Sequence, residues 1–267
     1  MKLSIITEDS DIQYDNPAGN FTFRDKKYSY WGNPIGRNKT LEYSVGKFNR
    51  YVKLGVKADE LIETFKKNIE KDPKSLSGRC SYASLIMMLY GIRVGNEDSA
   101  AGYESGLEDN KGEIVQTYGT TTLLNKHITI KDNLLNLRFL GKTQVNQDIN
   151  IDDKFIVRYA KVYYNSSDEE SKWLGIDYES LFKFIKREVG DGFIPKDLRT
   201  FCANVTAWDT IQSYLDQPKI DTKTEANQEI KEVVEAVSTR LGNTPSIAKR
   251  NYIDGRMLDW FKASRLK

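Results

Sequence analysis

Four short segments of this chain bring together the groups that cleavage of a phosphodiester by a protein nucleophile requires. The last segment, Leu-Gly-Asn-Thr-Pro-Ser-Ile-Ala-Lys-Arg-Asn-Tyr, ends at Tyr252, and its Thr-Pro pair predicts the start of a short basic helix at Thr244. Three basic segments precede it in order: Tyr-Gly-Ile-Arg-Val-Gly-Asn-Glu around Arg93, Phe-Leu-Gly-Lys ending at Lys142, and Lys-Asp-Leu-Arg-Thr-Phe around Arg199. Such matches are hypotheses that a structural context must support.

Each of these residue types has a defined part in such a reaction. The Tyr252 hydroxyl can attack phosphorus and form a covalent phosphotyrosine, which conserves the bond energy so that the strand can be resealed without ATP. Arg93 and Arg199 can bind the two non-bridging oxygens, because a guanidinium offers a planar fork of donors and keeps its charge. Lys142 can give a proton to the departing 5'-oxygen.

Taken singly, each residue also has an ordinary structural explanation. The chain contains 15 tyrosines, and a tyrosine chosen at random is usually a packing residue. Arg199 could be the ion-pair partner of Asp197 or Glu188, and Lys142 could be a solvated turn residue. The order, spacing and flanking residues of the four segments together favour the chemical interpretation.

The basic residues are unevenly distributed along the chain, although the net charge is only +2. Between residues 21 and 57 there are nine basic and two acidic side chains, interleaved with aromatic residues such as Phe21 and Trp31. Basic groups neutralise phosphates, and aromatic rings pack on sugars or bases. The region therefore suits nucleic-acid binding, or alternatively the solvated basic face of an edge sheet.

Other classes of protein are disfavoured by the composition. The hydrophobic content of 39% over 267 residues is enough for a real core. Cys80 and Cys202 are far apart and indicate neither a disulfide framework nor a cysteine zinc site. His127 is the only histidine, so a histidine-rich metal site is not available. Lys142 follows a glycine but lacks the earlier glycine of a nucleotide-binding loop, so ATP is not expected.

No stretch of the sequence has the roughly 20 apolar residues that a membrane span needs. The first residues turn acidic before a signal-peptide core could form. We therefore expect an intracellular protein in a reducing compartment, neither secreted nor bound to a membrane.

Periodicity divides the chain into a short strand-rich part and a longer helical part. Residues 1–42 alternate short apolar runs with Gly, Asn and Pro, which predicts small strands and turns. From about Leu41 apolar residues recur at helical spacing. A helix from about residue 79 should deliver Arg93 just past its end, with Val-Gly-Asn at 94–96 ending the helix. Further helices are predicted at 152–164, 178–189, 195–215 and 223–241.

A small antiparallel sheet is predicted between residues 120 and 149. Its strands are expected at 123–124, 127–130 and 135–140, because apolar runs there are separated by Asn-Lys and Lys-Asp-Asn turns. Lys142 would lie in the Gly-Lys-Thr-Gln turn between two strands, where a long side chain can reach beyond the sheet.

The four segments, over about residues 45–255, resemble the type IB DNA topoisomerases of the small poxvirus and bacterial kind. The resemblance implies an α+β protein with the DNA breaking-rejoining fold. Residues 1–42 would form a small β-rich N-terminal clamp domain, and residues 43–267 a mainly helical catalytic domain with a small antiparallel sheet. It also implies a monomer that nicks one strand of double-stranded DNA through a 3'-phosphotyrosine at Tyr252. Supercoils would relax by strand rotation, with no metal, ATP or other cofactor.

The resemblance extends to residues around the four segments. Lys196 and Asn204 resemble family positions that touch the DNA backbone or support the site, and Lys249 and Arg250 belong to the basic helix expected at the DNA. Asn243 stands where the poxvirus pattern has His, and its amide can still donate to a phosphate oxygen, though without charge. Ser99 stands where relatives usually have Tyr, and the usual Ile-Pro-Pro-Ala-Trp entry is missing.

Two other functions fit parts of the pattern. A tyrosine recombinase uses the same nucleophile and arginine pair, but it usually carries His-x-Leu-Arg-His where this chain has Lys-Asp-Leu-Arg-Thr at Arg199. The other is a DNA-binding relative without turnover, against which the intact set of Arg, Lys, Arg and Tyr argues.

Overall fold

A computed structural model describes residues 17–31 and 39–267. The strands are β1 (Pro17–Phe23), β2 (Lys26–Trp31), β3 (Tyr103–Glu104), β4 (Ile114–Val115), β5 (Ile128–Lys131), β6 (Leu134–Leu140) and β7 (Asn146–Ile151). The helices are α1 (Lys39–Val56), α2 (Ala58–Lys71), α3 (Leu76–Tyr90), α4 (Glu97–Ala101), α5 (Lys154–Tyr163), α6 (Tyr178–Glu188), α7 (Pro195–Leu215), α8 (Lys223–Leu241), α9 (Pro245–Asn251) and α10 (Gly255–Arg265). The described chain is mainly helical with small antiparallel sheets, as the α+β expectation requires.

The described residues form two compact units. The first unit comprises the residues up to Glu60 together with Asp197–Lys267, and the second is Leu61–Lys196. The predicted division into residues 1–42 and 43–267 stays a prediction, because much of its N-terminal part lies outside the described residues.

Among the residues that the structure describes, no helix has the length and apolar character to cross a bilayer.

The first unit joins a β-hairpin to helices from both ends of the chain. Strands β1 and β2 pair antiparallel, from Pro17 opposite Trp31 to Phe23 opposite Lys26. The turn between them uses left-handed backbone at Arg24 (φ 48°) and Asp25 (φ 61°), which matches the right-handed twist of a hairpin. The Arg24 backbone N–H donates to the carboxylate of Asp59 at 3.1 Å.

Aromatic contacts and a buried ion pair hold the helices of the first unit together. The ring of Tyr51 on α1 packs on Phe201 of α7, with centroids 6.2 Å apart. Arg256 at the start of α10 pairs with the buried Asp254 at 2.6 Å and donates to Asn49 Oδ1 at 3.2 Å. Because both charges are buried, losing one would leave the other uncompensated. The ion pair therefore fixes the segment that directly follows Tyr252.

The second unit is built around α3, which is buried along most of its length. Phe65 of α2 packs on Phe184 of α6 at 5.9 Å, and Tyr82 of α3 packs edge-on against Trp173 at 5.5 Å. The Tyr82 hydroxyl donates to the carbonyl of Ile156 on α5 at 3.0 Å. Apolar positions of α2 recur three and four residues apart on the buried face, as the sequence predicted.

Strands β5, β6 and β7 form an antiparallel sheet in the second unit. Alternate residues of β6, namely Leu135, Leu137 and Phe139, are buried. The predicted strand at 123–124 was wrong, because Leu124 makes only an isolated bridge to Lys172. His127 also precedes its strand and lies in a 3-10 turn.

The end of α3 also differs from the prediction. The helix ends at Tyr90, and Gly91 caps it in the left-handed conformation (φ 69°) with its N–H donating to Met87 O at 3.0 Å. The Val-Gly-Asn turn at 94–96 lies beyond this cap. Glycine is favoured at the Gly91 cap because a Cβ atom penalises left-handed backbone. Arg93 still follows the helix closely, as predicted.

His127 is half-buried beside the sheet. Its ring packs on Tyr118 with centroids 4.3 Å apart, and its Nδ1 accepts a hydrogen bond from the Leu124 N–H at 3.1 Å. Burial, assisted by the charge of Lys126, lowers the pKa of His127 from 6.5 to about 4. The ring is therefore neutral in the folded protein at neutral pH.

Since the folded pKa of His127 is depressed, its contribution to stability is present above pH 6.5 and is lost as the pH falls toward 4. We expect the free energy of unfolding to decrease by about 1–2 kcal/mol over this window, after allowance for solvent screening of a half-buried ring. His127→Asn keeps an acceptor near Nδ1 but cannot titrate. Unfolding midpoints of both proteins at pH 5.5 and 7.5 test this expectation, and a difference between them that does not change with pH would contradict it.

Candidate active site

Arg93 is carried by an extended segment that follows the α3 cap. Ile92 is buried, which anchors the segment, whereas Arg93 itself is half-buried. The Arg93 carbonyl accepts from the Thr120 N–H and the Val94 carbonyl from the Thr121 N–H, each at 2.7 Å. The backbone that directly follows the Arg93 side chain is thus fixed by a second segment.

That second segment, Thr117 to Thr122, makes backbone hydrogen bonds in three directions. Besides its bonds to the Arg93 segment, its Thr117 N–H donates to Ser99 O at 2.9 Å and its Tyr118 N–H donates to Leu140 O at 2.8 Å. Leu140 is the last residue of β6 and lies two residues before Lys142. The same hexapeptide therefore connects the segments that carry Arg93 and Lys142.

Two glycines let these segments approach closely. A Cβ atom added to Gly119 would lie 2.5 Å from Gly95 N and 2.7 Å from Arg93 O, closer than real Cβ atoms come to backbone. Gly95 has φ +100°, which a residue with a side chain rarely adopts. This contact gives a physical reason for the Gly-Thr-Thr-Thr sequence that follows the Arg93 segment.

Lys142 begins a 3-10 turn, Lys142–Gln144, between β6 and β7, as the sequence predicted. The turn is closed by the Gly141 N–H, which donates to Val145 O at 2.8 Å. Lys142 is exposed. Its backbone is held between strands β6 and β7.

Arg93 and Lys142 line the same cleft of the second unit, with a volume of about 520 Å³. Thr117, Tyr118 and Ser99 also line this cleft. A smaller cleft of about 330 Å³ shares Lys142, Ser99 and Thr117 with it. The structure therefore brings together two of the four predicted catalytic residues.

Acidic side chains of α4 also line the larger cleft, and one of them is ion-paired. Lys172 Nζ lies 2.7 Å from the Glu97 carboxylate, with both groups partly exposed. Asn96 caps the helix by accepting from the Ser99 N–H at 3.2 Å. The pairing offsets the negative charge of Glu97 at the edge of a site that carries Arg93 and Lys142.

Arg199 and Tyr252 are together in the first unit. The Arg199 guanidinium carbon lies 5.2 Å from the centroid of the Tyr252 ring, in a cation–π contact. Arg199 Nη2 donates to the carbonyl of Leu241, the last residue of α8, at 2.7 Å. Arg199 and Tyr252 are 3% and 6% exposed, so the pair is held inside the unit.

Asp197 and Glu188, the ion-pair partners that the sequence suggested for Arg199, are each bonded by another arginine. Asp197 accepts from Arg50 Nε at 3.2 Å, and Glu188 accepts from Arg187 Nε at 2.8 Å. The guanidinium of Arg199 is directed instead toward a helix-terminal carbonyl and an aromatic ring.

Asn204, one turn beyond Arg199 on α7, is fully buried at 0% exposure. Its Nδ2 donates to the carbonyls of Thr200 at 2.8 Å and Tyr252 at 2.7 Å, and its Oδ1 accepts from the Asp254 N–H at 2.8 Å. This geometry is suited to supporting the backbone at Tyr252. The buried Asn204 side chain is not accessible for a DNA contact.

The remaining predicted residues lie on helix ends. Helix α9 begins as predicted, with Thr244 as its cap and Pro245 in its first turn, and Tyr252 follows its last residue. Lys249 and Arg250 are exposed on α9, and Lys196 is exposed in the first turn of α7. The Nδ2 atom of Asn243 is buried and has no hydrogen-bond partner.

The predicted residues thus fall into two groups. Arg93, Lys142 and Lys196 belong to the second unit. The first unit holds Arg199, Asn204, Asn243, Lys249, Arg250 and Tyr252.

Comparison with known proteins assigns the chain to a family. The family model described as "Eukaryotic DNA topoisomerase I, catalytic core" matches residues 38–260, which include all the predicted site residues. This chain belongs to that topoisomerase I family. The resemblance to type IB topoisomerases is thereby confirmed.

Viral proteins named as DNA topoisomerases are among the curated proteins that are similar to this chain. DNA topoisomerase I of monkeypox virus and DNA topoisomerase 1B of vaccinia virus (strain Copenhagen) are each 28% identical over 202 residues, which is 73% of this chain and 58% of theirs. DNA topoisomerase 1B of Acanthamoeba polyphaga mimivirus is 24% identical over 185 residues, 65% of this chain and 52% of the relative. The chain thus matches a little over half the length of these topoisomerases.

Several hydrogen bonds around the segments that carry the predicted site residues of this topoisomerase I family member were not predicted from the sequence. Thr121 Oγ1 donates to Val94 O at 2.8 Å, and Gln144 Nε2 donates to Ser105 Oγ at 2.6 Å. The three threonines at 120–122 could have indicated this contact, because they directly follow Gly119. Ser105 gave no signal, since its partner is 39 residues away.

We expect Gly119→Ala to destabilise the protein by about 1–3 kcal/mol, because the added methyl group meets backbone atoms that cannot turn aside. Gly192→Ala is the matched control, since a Cβ there has nothing within 4 Å. Urea unfolding of both variants measures the difference. Equal stability of the two variants would contradict the close approach of Gly119 to Gly95.

Proposed function

We propose that this chain is a type IB DNA topoisomerase that nicks one strand of double-stranded DNA through a 3'-phosphotyrosine at Tyr252. Relaxation would follow by rotation about the intact strand, and religation would need neither ATP nor metal. The observation that carries the proposal is the Arg199 guanidinium over the Tyr252 ring, within the span matched by the family model. The names of the viral relatives agree with it.

The chemistry assigns one role to each of four side chains. Tyr252 Oη attacks phosphorus while the bond from phosphorus to the 5'-oxygen breaks. Arg93 and Arg199 stabilise the charge that develops on the non-bridging oxygens. Lys142 protonates the departing 5'-oxygen and takes the proton back on religation.

Asn243 is assigned a fifth role, as a neutral donor to a non-bridging oxygen. Its buried Nδ2 without a partner supports this role, because leaving a buried donor unsatisfied costs stability in the absence of a ligand. A phosphate oxygen is an acceptor that could satisfy it. An amide forms a weaker bond to phosphate than a charged histidine would.

Further residues are proposed to position the reacting groups or to bind DNA. Asn204 holds the backbone that directly follows the Tyr252 side chain, through Tyr252 O and the Asp254 N–H. Lys196, Lys249 and Arg250 are exposed cations suited to phosphate contacts. Residues 1–42 are proposed as a β-rich clamp domain, whose described residues are the β1–β2 hairpin and the first four residues of α1.

A monomer is proposed, because one chain supplies all the reacting groups. Action inside cells, where the DNA substrate is found, stays an expectation. The recombinase and the DNA-binding relative without turnover are the alternatives that an activity measurement must separate.

The test is relaxation of supercoiled plasmid in EDTA without ATP. We expect the native chain to relax the plasmid and Tyr252→Phe to show no detectable relaxation, since loss of the nucleophile removes the covalent step. Tyr214→Phe is the matched control and should retain activity, because Tyr214 is partly exposed and bonds Glu232 on the surface.

Two outcomes would contradict the proposal. A native chain that shifts the plasmid in a gel but never relaxes it would favour the recombinase or the DNA-binding relative. Relaxation that survives Tyr252→Phe would remove Tyr252 from the role of nucleophile.

A further inference from the structure

Three polar side chains beside Lys142 form a closed ring of hydrogen bonds. Gln144 Nε2 donates to Ser105 Oγ at 2.6 Å, Ser105 Oγ donates to Asn110 Oδ1 at 2.6 Å, and Asn110 Nδ2 donates to Gln144 Oε1. Each side chain donates one bond and accepts one bond within the ring. The ring is complete in itself, so it fixes all three side chains relative to one another.

The ring joins two parts of the chain that are distant in sequence. Ser105 and Asn110 belong to the connection between β3 and β4, whereas Gln144 is the last residue of the 3-10 turn that Lys142 begins. Ser105 is 3% exposed and also accepts from the Leu107 N–H at 3.2 Å, which holds it in place. The β3–β4 connection therefore acts as a fixed support for the lysine turn.

The backbone of the turn needs such a support. Gln144 has φ +58°, a left-handed conformation that a residue with a long side chain rarely adopts without compensation. The two hydrogen bonds of its side chain hold the residue in that conformation. If they are lost, the turn is free to relax, and Lys142 moves with it.

We propose that Gln144, Ser105 and Asn110 are positioning residues for Lys142, which keep its ammonium group in the cleft that it shares with Arg93. The inference rests on the proposed function, because it assumes that Lys142 protonates the departing 5'-oxygen. Lys142 lines both clefts, and Gln144 lines the smaller one, so one member of the ring lies at a cleft that Lys142 also lines.

A comparison of 5'-oxygen and 5'-sulfur leaving groups distinguishes positioning of Lys142 from a purely structural role of the ring. In cleavage of ordinary DNA, the bond from Tyr252 Oη to phosphorus forms, the bond from phosphorus to the 5'-oxygen breaks, and the oxygen takes a proton from Lys142. A 5'-bridging sulfur leaves as a stable thiolate and needs no proton. Variants that act only through Lys142 should therefore be slow on the oxygen substrate and fast on the sulfur substrate.

The experiment measures single-turnover formation of the covalent adduct by the full chain on duplexes with 5'-oxygen or 5'-sulfur at the nick site. We expect Ser105→Ala and Asn110→Ala to slow cleavage of the oxygen duplex about 10- to 100-fold, since misplacing a catalytic group by about 1 Å can cost about 100-fold. On the sulfur duplex both variants should lie within about threefold of the native chain.

Two reference variants accompany them. Lys142→Ala should show the same pattern with a larger defect. Asn136→Ala removes an amide that bonds Asp148 and Asn150 elsewhere on the same sheet, and it should cleave both duplexes at the native rate.

The outcomes separate this inference from the function on which it rests. Equal slowing on both duplexes, or native rates on both, for Ser105→Ala and Asn110→Ala would overturn the positioning role while the topoisomerase assignment stands. A Lys142→Ala variant that sulfur does not rescue would also overturn it. If the native chain forms no adduct with either duplex, the proposed function fails and the inference fails with it.

Discussion

The site of the second unit depends on the backbone hydrogen bonds of one hexapeptide, Thr117 to Thr122. This segment bonds to Arg93 and Val94 on one side, to Ser99 on another, and to Leu140 at the end of β6. The approach is so close that Gly119 has no room for a side chain. Because protein interiors are close-packed and transmit strain, a shift of this segment would move both Arg93 and Lys142. Two cationic side chains that are 49 residues apart are thereby kept in one cleft.

The first unit uses a different arrangement to hold Tyr252, the proposed nucleophile. Tyr252 follows a helix of only seven residues, so its position is fixed less by α9 than by its neighbours. Asn204 binds the backbone directly after the Tyr252 side chain. The buried ion pair of Asp254 and Arg256 anchors the next turn, and Arg199 covers the Tyr252 ring. Arg199 is itself held by the carbonyl at the end of α8. Arg199 and Tyr252, the proposed nucleophile, are thus supported by residues of α7, α8 and α10.

Much of this arrangement could be predicted from the sequence where the signal is local. The bounds of α7 and α8 agree with the prediction, because Pro195 and Gly242 mark a helix start and a helix end. The Lys142 turn and the Thr244 cap were found for the same reason. The end of α3 was misjudged because two glycines, Gly91 and Gly95, compete as terminators, and only packing selects between them. The ring of Ser105, Asn110 and Gln144 could not be predicted, since it joins segments through side chains with no periodic pattern.

The proposed function depends on covalent attachment of Tyr252 to the 3' end of a nicked DNA strand. To test this step, the native chain is trapped on a nicked duplex, the adduct is digested with trypsin, and the modified peptide is sequenced by mass spectrometry. Cleavage after Arg250 and after Arg256 releases the six-residue peptide 251–256, in which Tyr252 is the only tyrosine. We expect this peptide to carry the 3'-linked nucleotide on Tyr252. A nucleotide found on any other residue, or at the 5' side of the nick, would contradict it.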